Sequence, residues 1–187
     1  MPLSPPAPRE ALHRRTVECR GFRREDGLWD IEGHLIDTKS YDFPNQDRGG
    51  TLKAGEPIHE MWVRLTIDVD FMIHHAEAVT DWGPFTICGD VAPDFAKLAG
   101  HRIGGGFLGM VKKMFAGPHG CTHIVELMGP VATTAFQTLF PARETREAKQ
   151  ESRERPGVID TCHALAADGP IVARHWPEFG TAKPASQ

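Results

Sequence analysis

The sequence contains no long hydrophobic run, no excess of positive charge and no apolar segment at its N-terminus. No stretch approaches the about 18 apolar residues that a membrane-spanning helix needs, so we expect no membrane partner. The net charge of −4 at pH 7, with histidine neutral, gives no indication of nucleic acid binding. Residues 1–9 are rich in proline and resemble no secretory signal, which predicts a cytoplasmic protein.

Cysteine is scarce, and familiar catalytic motifs are missing. In a cytoplasmic chain we expect the four cysteines (Cys19, Cys88, Cys121 and Cys162) to be free thiols. The sequence contains neither the HExxH zinc motif nor the GxxxxGK[ST] phosphate loop, although residues 102–106 are rich in glycine. Ten histidines, by contrast, are many for 187 residues, and they make a metal site easier to assemble.

Alternation of polar and apolar residues predicts four strands. They cover residues 13–24, 28–38, 59–68 and 71–80. The turn signals Asp26-Gly27 and Asp68-Val69-Asp70 join them in pairs, which predicts an antiparallel meander. A sheet that is covered on one side needs helices on that face, so we predict an α+β fold. The connection over residues 39–57 is long, and loops of this length are often functional.

The second half of the chain predicts the helices. Two short helices are expected over 93–99 and 107–115, and a last core helix runs from about residue 120 to Phe140. The last helix has one apolar face, formed by Ile124, Leu127, Met128, Val131, Ala135 and Leu139.

The predicted organisation is a core domain between less regular ends. A disordered lead-in over 1–12 precedes the core domain over 13–141. The highly charged residues 142–156 indicate a linker or an exposed helix. A small C-terminal appendage over 157–177, with a short helix at 158–165 and a brief strand at 171–174, precedes a tail over 178–187.

Polar groups that carry chemistry gather at the start of the last helix. Cys121 lies in its first turn, where the helix dipole favours a thiolate. His123 and Glu126 are three residues apart and therefore neighbours on the helix surface. On the second strand, Asp30, Glu32 and His34 share a face, which is either solvated or lines a site with His34 as a catalytic residue.

Three segments resemble a bacterial family known as the domain of unknown function 2889. They are residues 27–35 (GLWDIEGHL), 54–62 (AGEPIHEMW) and 120–123 (GCTH). The resemblance extends over almost the whole chain, but it implies no activity.

The order of elements from residue 58 to 140 is also similar to the iron–sulfur scaffold fold of the NifU/IscU type. That family holds a cluster or zinc with three cysteines, an aspartate and often a histidine. The resemblance implies that Cys88 and Cys121 match two of the cysteines and that Glu60 stands where the aspartate stands. The remaining cysteine has no counterpart, and the residue near its position is His59 or Ile58.

Together these observations predict a metal site with mixed ligands. The expected ligands of zinc or iron are His59, Glu60, Cys88, Cys121 and His123, with Glu126 either as an outer hydrogen-bond partner of a ligand or as a proton shuttle. The first hypothesis is a metal-dependent hydrolase or lyase that acts on a small molecule in bacterial catabolism. The alternative is a non-enzymatic metal- or cluster-binding scaffold. A thiol enzyme, with Cys121 and either His123 or His119 as its base, ranks below both, and the sequence leaves self-association open.

Overall fold

The computed structural model describes residues 3–149 and 155–181. The chain divides into two compact units, Met1–Arg143 and Glu144–Gln187. The strands of the first unit are β1 (His13–Arg23), β2 (Trp29–Lys39), β3 (Phe43–Asn45), β4 (Gly50–Leu52), β5 (Pro57–Ile67) and β6 (Ile73–Trp82). The helices are α1 (Phe107–Met114), α2 (Thr122–Lys149), which begins in the first unit, and α3 (Pro170–His175) in the second.

Four strands form an antiparallel sheet in the order β1-β2-β5-β6. Each strand pairs with an antiparallel neighbour, so the predicted meander and the α+β class are confirmed. The register places Asp37 of β2 opposite Arg15 of β1 on one side and His59 of β5 on the other. Three polar residues from three adjacent strands therefore lie in one row across the sheet.

The helical side of the sheet is the side that forms the core. Along β2 buried and partly exposed residues alternate, with Ile31 and Leu35 on the buried side. Helix α2 lies against this side so closely that a Cβ on Gly33 would be 2.5 Å from Cγ2 of Val131. The predicted apolar face of α2 is confirmed, because its members Ile124, Leu127, Met128, Val131, Ala135 and Leu139 are all buried.

Three predicted details are wrong. The connection over 39–57 contains the β3–β4 hairpin, whose 3₁₀ turn (Gln46–Arg48) is capped by the side chain of Asn45. The short helix predicted at 158–165 is limited to the 3₁₀ turn His163–Leu165, whereas the one predicted at 93–99 is present as the 3₁₀ helix Ala92–Leu98. The predicted strand at 171–174 is part of helix α3, because Pro170 suits a first helical position, where no N–H is needed.

The described part of the second unit, residues 144–149 and 155–181, is short and largely irregular. The charged segment after residue 142 continues α2 as far as Lys149. Asp160 organises the following loop, since its carboxylate accepts a hydrogen bond from the Ala167 amide at 2.8 Å and pairs with Arg155. Ile159 and Val172 are its buried apolar side chains among the residues described. Among the described helices of both units, none combines the length and apolar character that crossing a membrane requires.

A candidate metal centre on the covered face of the sheet

Asp37 is a carboxylate buried in the apolar row of β2. It follows Ile31 and Leu35 at the period of two residues that points side chains to the helical side, and its side chain is only 1% exposed. An ionised carboxylate at such a position is strongly destabilising unless cations or hydrogen-bond donors surround it. The groups around Asp37 therefore define a site.

Two imidazoles approach one oxygen of this carboxylate. His59 lies opposite Asp37 on β5, and its Nδ1 is 3.1 Å from Asp37 Oδ2. His123 comes from the first turn of α2, and its Nε2 is 3.7 Å from the same oxygen. The two imidazole rings stack with centroids 3.7 Å apart and planes inclined by 30°. A strand pair and a helix start thus converge on one carboxylate oxygen.

The spacing of these atoms suits a metal ion. One ligand atom from each of Asp37, His59 and His123 lies within 4.8 Å of the other two. Ligands about 2.0–2.1 Å from a tetrahedral zinc ion are about 3.3–3.4 Å apart, which falls between the two nitrogen–oxygen distances observed here. Each of these two distances differs from the tetrahedral separation by a few tenths of an ångström.

Arg15 neutralises the buried carboxylate. Its Nε donates to Asp37 Oδ1 at 2.8 Å and its Nη2 to Oδ2 at 2.7 Å, while Nη1 donates to Glu126 Oε2 at 2.5 Å. His13 Nε2 is 3.1 Å from Asp37 Oδ1. Burial alone would raise the pKa of Asp37, but the Arg15 guanidinium and His13 more than offset it and lower this pKa to about 2. Asp37 is therefore ionised at neutral pH.

The two imidazoles are held in their neutral form. Burial lowers the pKa of His59, and the neighbouring His123 adds to the effect. Burial also lowers the pKa of His123, and repulsion from the Arg15 guanidinium lowers it further. Near neutral pH both rings are uncharged, and a neutral imidazole is the form that binds a metal.

The structure brings some of the predicted site residues together. His59 and His123 both belong to the three-residue group around Asp37. Cys121 Sγ is 3.9 Å from Nδ1 of His123, on the ring nitrogen opposite the one that faces Asp37. Glu126 is half-exposed and reaches the group only through Arg15. Cys121 and Glu126 therefore border the group without joining it.

Two predicted residues lie on the opposite face of the sheet. Glu60 follows His59 directly on β5, so its side chain points away from the helices, and Oε1 contacts Nε2 of His34 at 2.9 Å. The His34 ring stacks on Trp62 with centroids 3.5 Å apart.

Cys88 lies neither in the group around Asp37 nor beside Glu60 and His34. It belongs to the 3₁₀ turn Thr86–Gly89 and lines a hollow of about 200 Å³ together with Arg48 and Trp82. Among residues 3–149 and 155–181, the only group of three or more potential metal ligands includes none of Glu60, Cys88 and Cys121.

Sequence reasoning missed Asp37, Arg15 and His13. A signal for Asp37 was present, because a carboxylate continued the buried phase of β2 after Leu35. His13 and Arg15 share a phase with Cys19 on β1, which is the residue of that strand packed against the core. A row of polar residues in the core-facing phase at one end of a sheet indicates a site more specifically than the outward-facing row Asp30, Glu32 and His34.

The fold and the site together define a small α+β domain with a buried carboxylate and two neutral imidazoles that could hold a metal ion. The chain belongs to the family described as "Protein of unknown function (DUF2889)", whose family model matches residues 13–137. This range includes Asp37, His59 and His123. No curated protein and no solved structure matches the chain significantly. The likeness to the NifU/IscU scaffold fold stays a prediction.

Proposed function

We propose that this protein binds one zinc or iron(II) ion through Asp37, His59 and His123 and uses it in a hydrolase- or lyase-type reaction on a small molecule. The observation that carries the proposal is the convergence of two imidazole nitrogens on Asp37 Oδ2, at 3.1 and 3.7 Å. Imidazole and carboxylate ligands suit zinc and iron(II).

The number of ligands favours a catalytic role over a structural one. Structural zinc sites are closed by four protein ligands, whereas catalytic sites have three and leave a position for water or substrate. The group around Asp37 offers three ligands among the described residues. The ion would supply Lewis acidity at the open position.

The neighbouring residues have separate roles in this proposal. Cys121 contacts Nδ1 of His123 and orients the ring, so that Nε2 faces Asp37. Glu126, which is half-exposed beside Arg15, is the candidate for proton exchange with solvent. His34 has no part, because it pairs with Glu60 on the other face of the sheet.

The test is metal content and metal-dependent turnover. Full-length protein, purified without chelators, is expected to carry about one zinc or iron per chain by mass spectrometry. His59→Gln is expected to lower zinc affinity by more than about 100-fold, because the loss of an outer hydrogen-bond partner alone lowers affinity by about 10–100-fold. The matched control is His75→Gln on β6, an exposed position.

The same samples test the reaction class. Hydrolysis or elimination in a panel of small esters, amides and hydroxy acids is expected only with metal-loaded protein and is expected to disappear in His59→Gln. A protein that binds no metal in any preparation contradicts the proposal.

A second candidate is a thiol enzyme, favoured by one observation. Cys121 precedes α2 by one residue, so its side chain is not bound to helical geometry and reaches Nδ1 of His123 at 3.9 Å. Nε2 of the same ring faces Asp37. Thiol, imidazole and carboxylate thus follow one another in the order of a nucleophile, its base and an orienting group. Rapid alkylation of Cys121 by iodoacetamide in metal-free protein, abolished in His123→Gln, would support this candidate.

The iron–sulfur scaffold remains the alternative that the fold resemblance implies. A cluster needs several thiolates at one point. Cys121 borders the Asp37 group, while Cys88 lines the hollow beside Trp82. Iron accompanied by an equal amount of acid-labile sulfide in anaerobically purified protein would favour the scaffold over the enzyme.

A further inference from the structure

Arg15 occupies the oxygen that a metal ion would need. Its Nη2 donates to Asp37 Oδ2 at 2.7 Å, and this is the oxygen that Nδ1 of His59 and Nε2 of His123 approach. An ion would lie about 2.0–2.2 Å from the same oxygen. The guanidinium and a divalent cation would then be close neighbours at a buried carboxylate oxygen, where like charges repel. The ion and Arg15 therefore compete for this oxygen.

Arg15 has a second carboxylate within reach. Its Nη1 donates to Glu126 Oε2 at 2.5 Å, so Glu126 can retain the guanidinium beside the site after it leaves Asp37. The Arg15 side chain is 36% exposed and Glu126 is 54% exposed, whereas Asp37 is 1% exposed. Arg15 therefore lies between the buried ligand group and solvent, where an incoming molecule would meet it.

When Arg15 leaves Asp37, the Nε and Nη2 edge of its guanidinium becomes free, and this edge already binds a carboxylate. Nε and Nη2 hold the two oxygens of Asp37 in a bidentate pair, at 2.8 and 2.7 Å. This planar fork matches carboxylate geometry and gives orientation as well as attraction.

We propose that the metal centre acts on small molecules that carry a carboxylate. This inference rests on the proposed function. When the ion binds Asp37, it displaces the Arg15 guanidinium, and Arg15 then binds the substrate carboxylate beside the open metal position. Until the metal binds, the Asp37 carboxylate occupies the place on the Arg15 guanidinium that the substrate carboxylate would take. Arg15 is thus a substrate-binding residue, and Glu126 is the positioning residue that keeps it at the site.

Cobalt(II) in place of the native metal provides the test, because its visible spectrum reports changes in coordination. Full-length wild-type protein is loaded with cobalt and titrated with acetate, with neutral acetamide as the isosteric comparison. Acetate is expected to change the spectrum and acetamide is not. Arg15→Gln is expected to bind acetate at least about tenfold more weakly, as loss of a charge-assisted bidentate pair predicts.

The same variant, Arg15→Gln, is expected to change cobalt affinity in the direction opposite to its change in acetate affinity. Because Arg15 competes with the ion for Asp37, Arg15→Gln is expected to bind cobalt about fivefold more tightly, the factor that corresponds to the loss of one partly exposed ion pair. Arg14→Gln is the matched control, since Arg14 is an exposed neighbour on β1 whose side chain points to the other face. Arg15→Lys retains the charge without the fork and serves if Arg15→Gln fails to fold.

Each outcome decides the inference. Tighter cobalt binding with weaker acetate binding supports it. Cobalt and acetate binding that both equal those of the wild type overturn it and leave the metal centre intact. A response to sulfate that depends on Arg15, without one to acetate, overturns the carboxylate class. No cobalt binding by the wild type overturns the proposed function and this inference together.

Discussion

Asp37 is the residue on which the candidate site depends. It is an ionised carboxylate in the core-facing row of a strand, and three cationic or polar side chains (His13, Arg15 and His59) surround it. Removal of one partner from a buried ion pair is strongly destabilising, by about 3–5 kcal/mol in other proteins. This network keeps a charged oxygen ionised beside two imidazoles, in a group that could hold a metal ion.

The lowered pKa of Asp37 predicts a specific loss of stability in acid. Its native pKa is about 2, below the about 3.9 of an unfolded aspartate. The charged form therefore adds stability above about pH 4, and this contribution is lost as the pH falls toward about 2. In metal-free protein, the wild type is expected to lose about 2–3 kcal/mol more unfolding free energy than Asp37→Asn between about pH 5 and about pH 2. Urea denaturation measures the difference.

Glu32→Gln is the control for this experiment, because Glu32 lies on the outer face of the same strand and pairs with Arg64. It is expected to follow the wild type closely. A pH dependence that is equal in the wild type and in Asp37→Asn would contradict the ionised state of Asp37.

Individual residues of the site could be predicted from the sequence only in part. His123 was predicted because it lies at the start of the last core helix, and His59 because it lies near the position of the missing cysteine in the scaffold resemblance. Asp37 was missed because spacing along one strand does not reveal which residues of other strands lie opposite. Glu60 and Cys88 were inferred from the scaffold resemblance, and the alternation of side chains on β5 separates Glu60 from His59.

The close contact of α2 with the sheet determines where His123 lies. A Cβ on Gly33 would be 2.5 Å from Val131 and 3.0 Å from Leu127, and a Cβ on Gly21 would collide with Thr138. Glycine on β1 and β2 thus lets the helix lie directly on the strands. At this close approach, the first turn of α2 places His123 Nε2 3.7 Å from Asp37 Oδ2.

Gly33→Ala is therefore expected to affect both stability and the site. The added methyl group must displace α2, and overpacking of this kind destabilises by about 1–3 kcal/mol. Because His123 moves with the helix, zinc affinity is expected to fall as well. Thermal unfolding and zinc titration measure the two effects.

Gly105→Ala is the matched control, since nothing lies within 4 Å of a Cβ at that position. It is expected to change the unfolding free energy by less than about 0.5 kcal/mol. Zinc affinity that is unchanged in a clearly destabilised Gly33→Ala variant would contradict the link between helix position and the site.

Long, regular strands and helices could be predicted from the sequence, whereas the short β3–β4 hairpin and helix α3 could not. The four long strands and the apolar face of α2 were predictable because burial imposes periods of two and about 3.6 residues on them. The β3–β4 hairpin was missed because three-residue strands are too short to show alternation. The pattern cannot distinguish helix α3 from a strand, because the four residues from Ile171 to Arg174 satisfy either period.

For the whole molecule, the candidate site belongs to one unit. Asp37, His59, His123 and Arg15 all lie within Met1–Arg143, and so do all members of the main core cluster. The family match over 13–137 covers the same region. The first unit should therefore contain what folding and metal binding require.

A chain ending at Lys149, the last residue of α2, tests this independence. It is expected to retain zinc affinity within about twofold and a Tm within about 4 °C of the full chain, the shift that corresponds to about 1 kcal/mol for a domain of this size. Circular dichroism and zinc titration provide the readouts. A shortened chain that does not fold, or folds without binding zinc, would assign a role to the second unit.

The most direct test of the metal centre is the X-ray absorption spectrum of the zinc-loaded protein at the zinc edge. We predict a first shell of nitrogen and oxygen at about 2.0–2.2 Å, outer-shell scattering from two imidazoles, and no sulfur at about 2.3 Å. Such a spectrum would match Asp37, His59 and His123 as ligands. A sulfur shell would instead identify a cysteine-containing centre and contradict Asp37, His59 and His123 as the ligands.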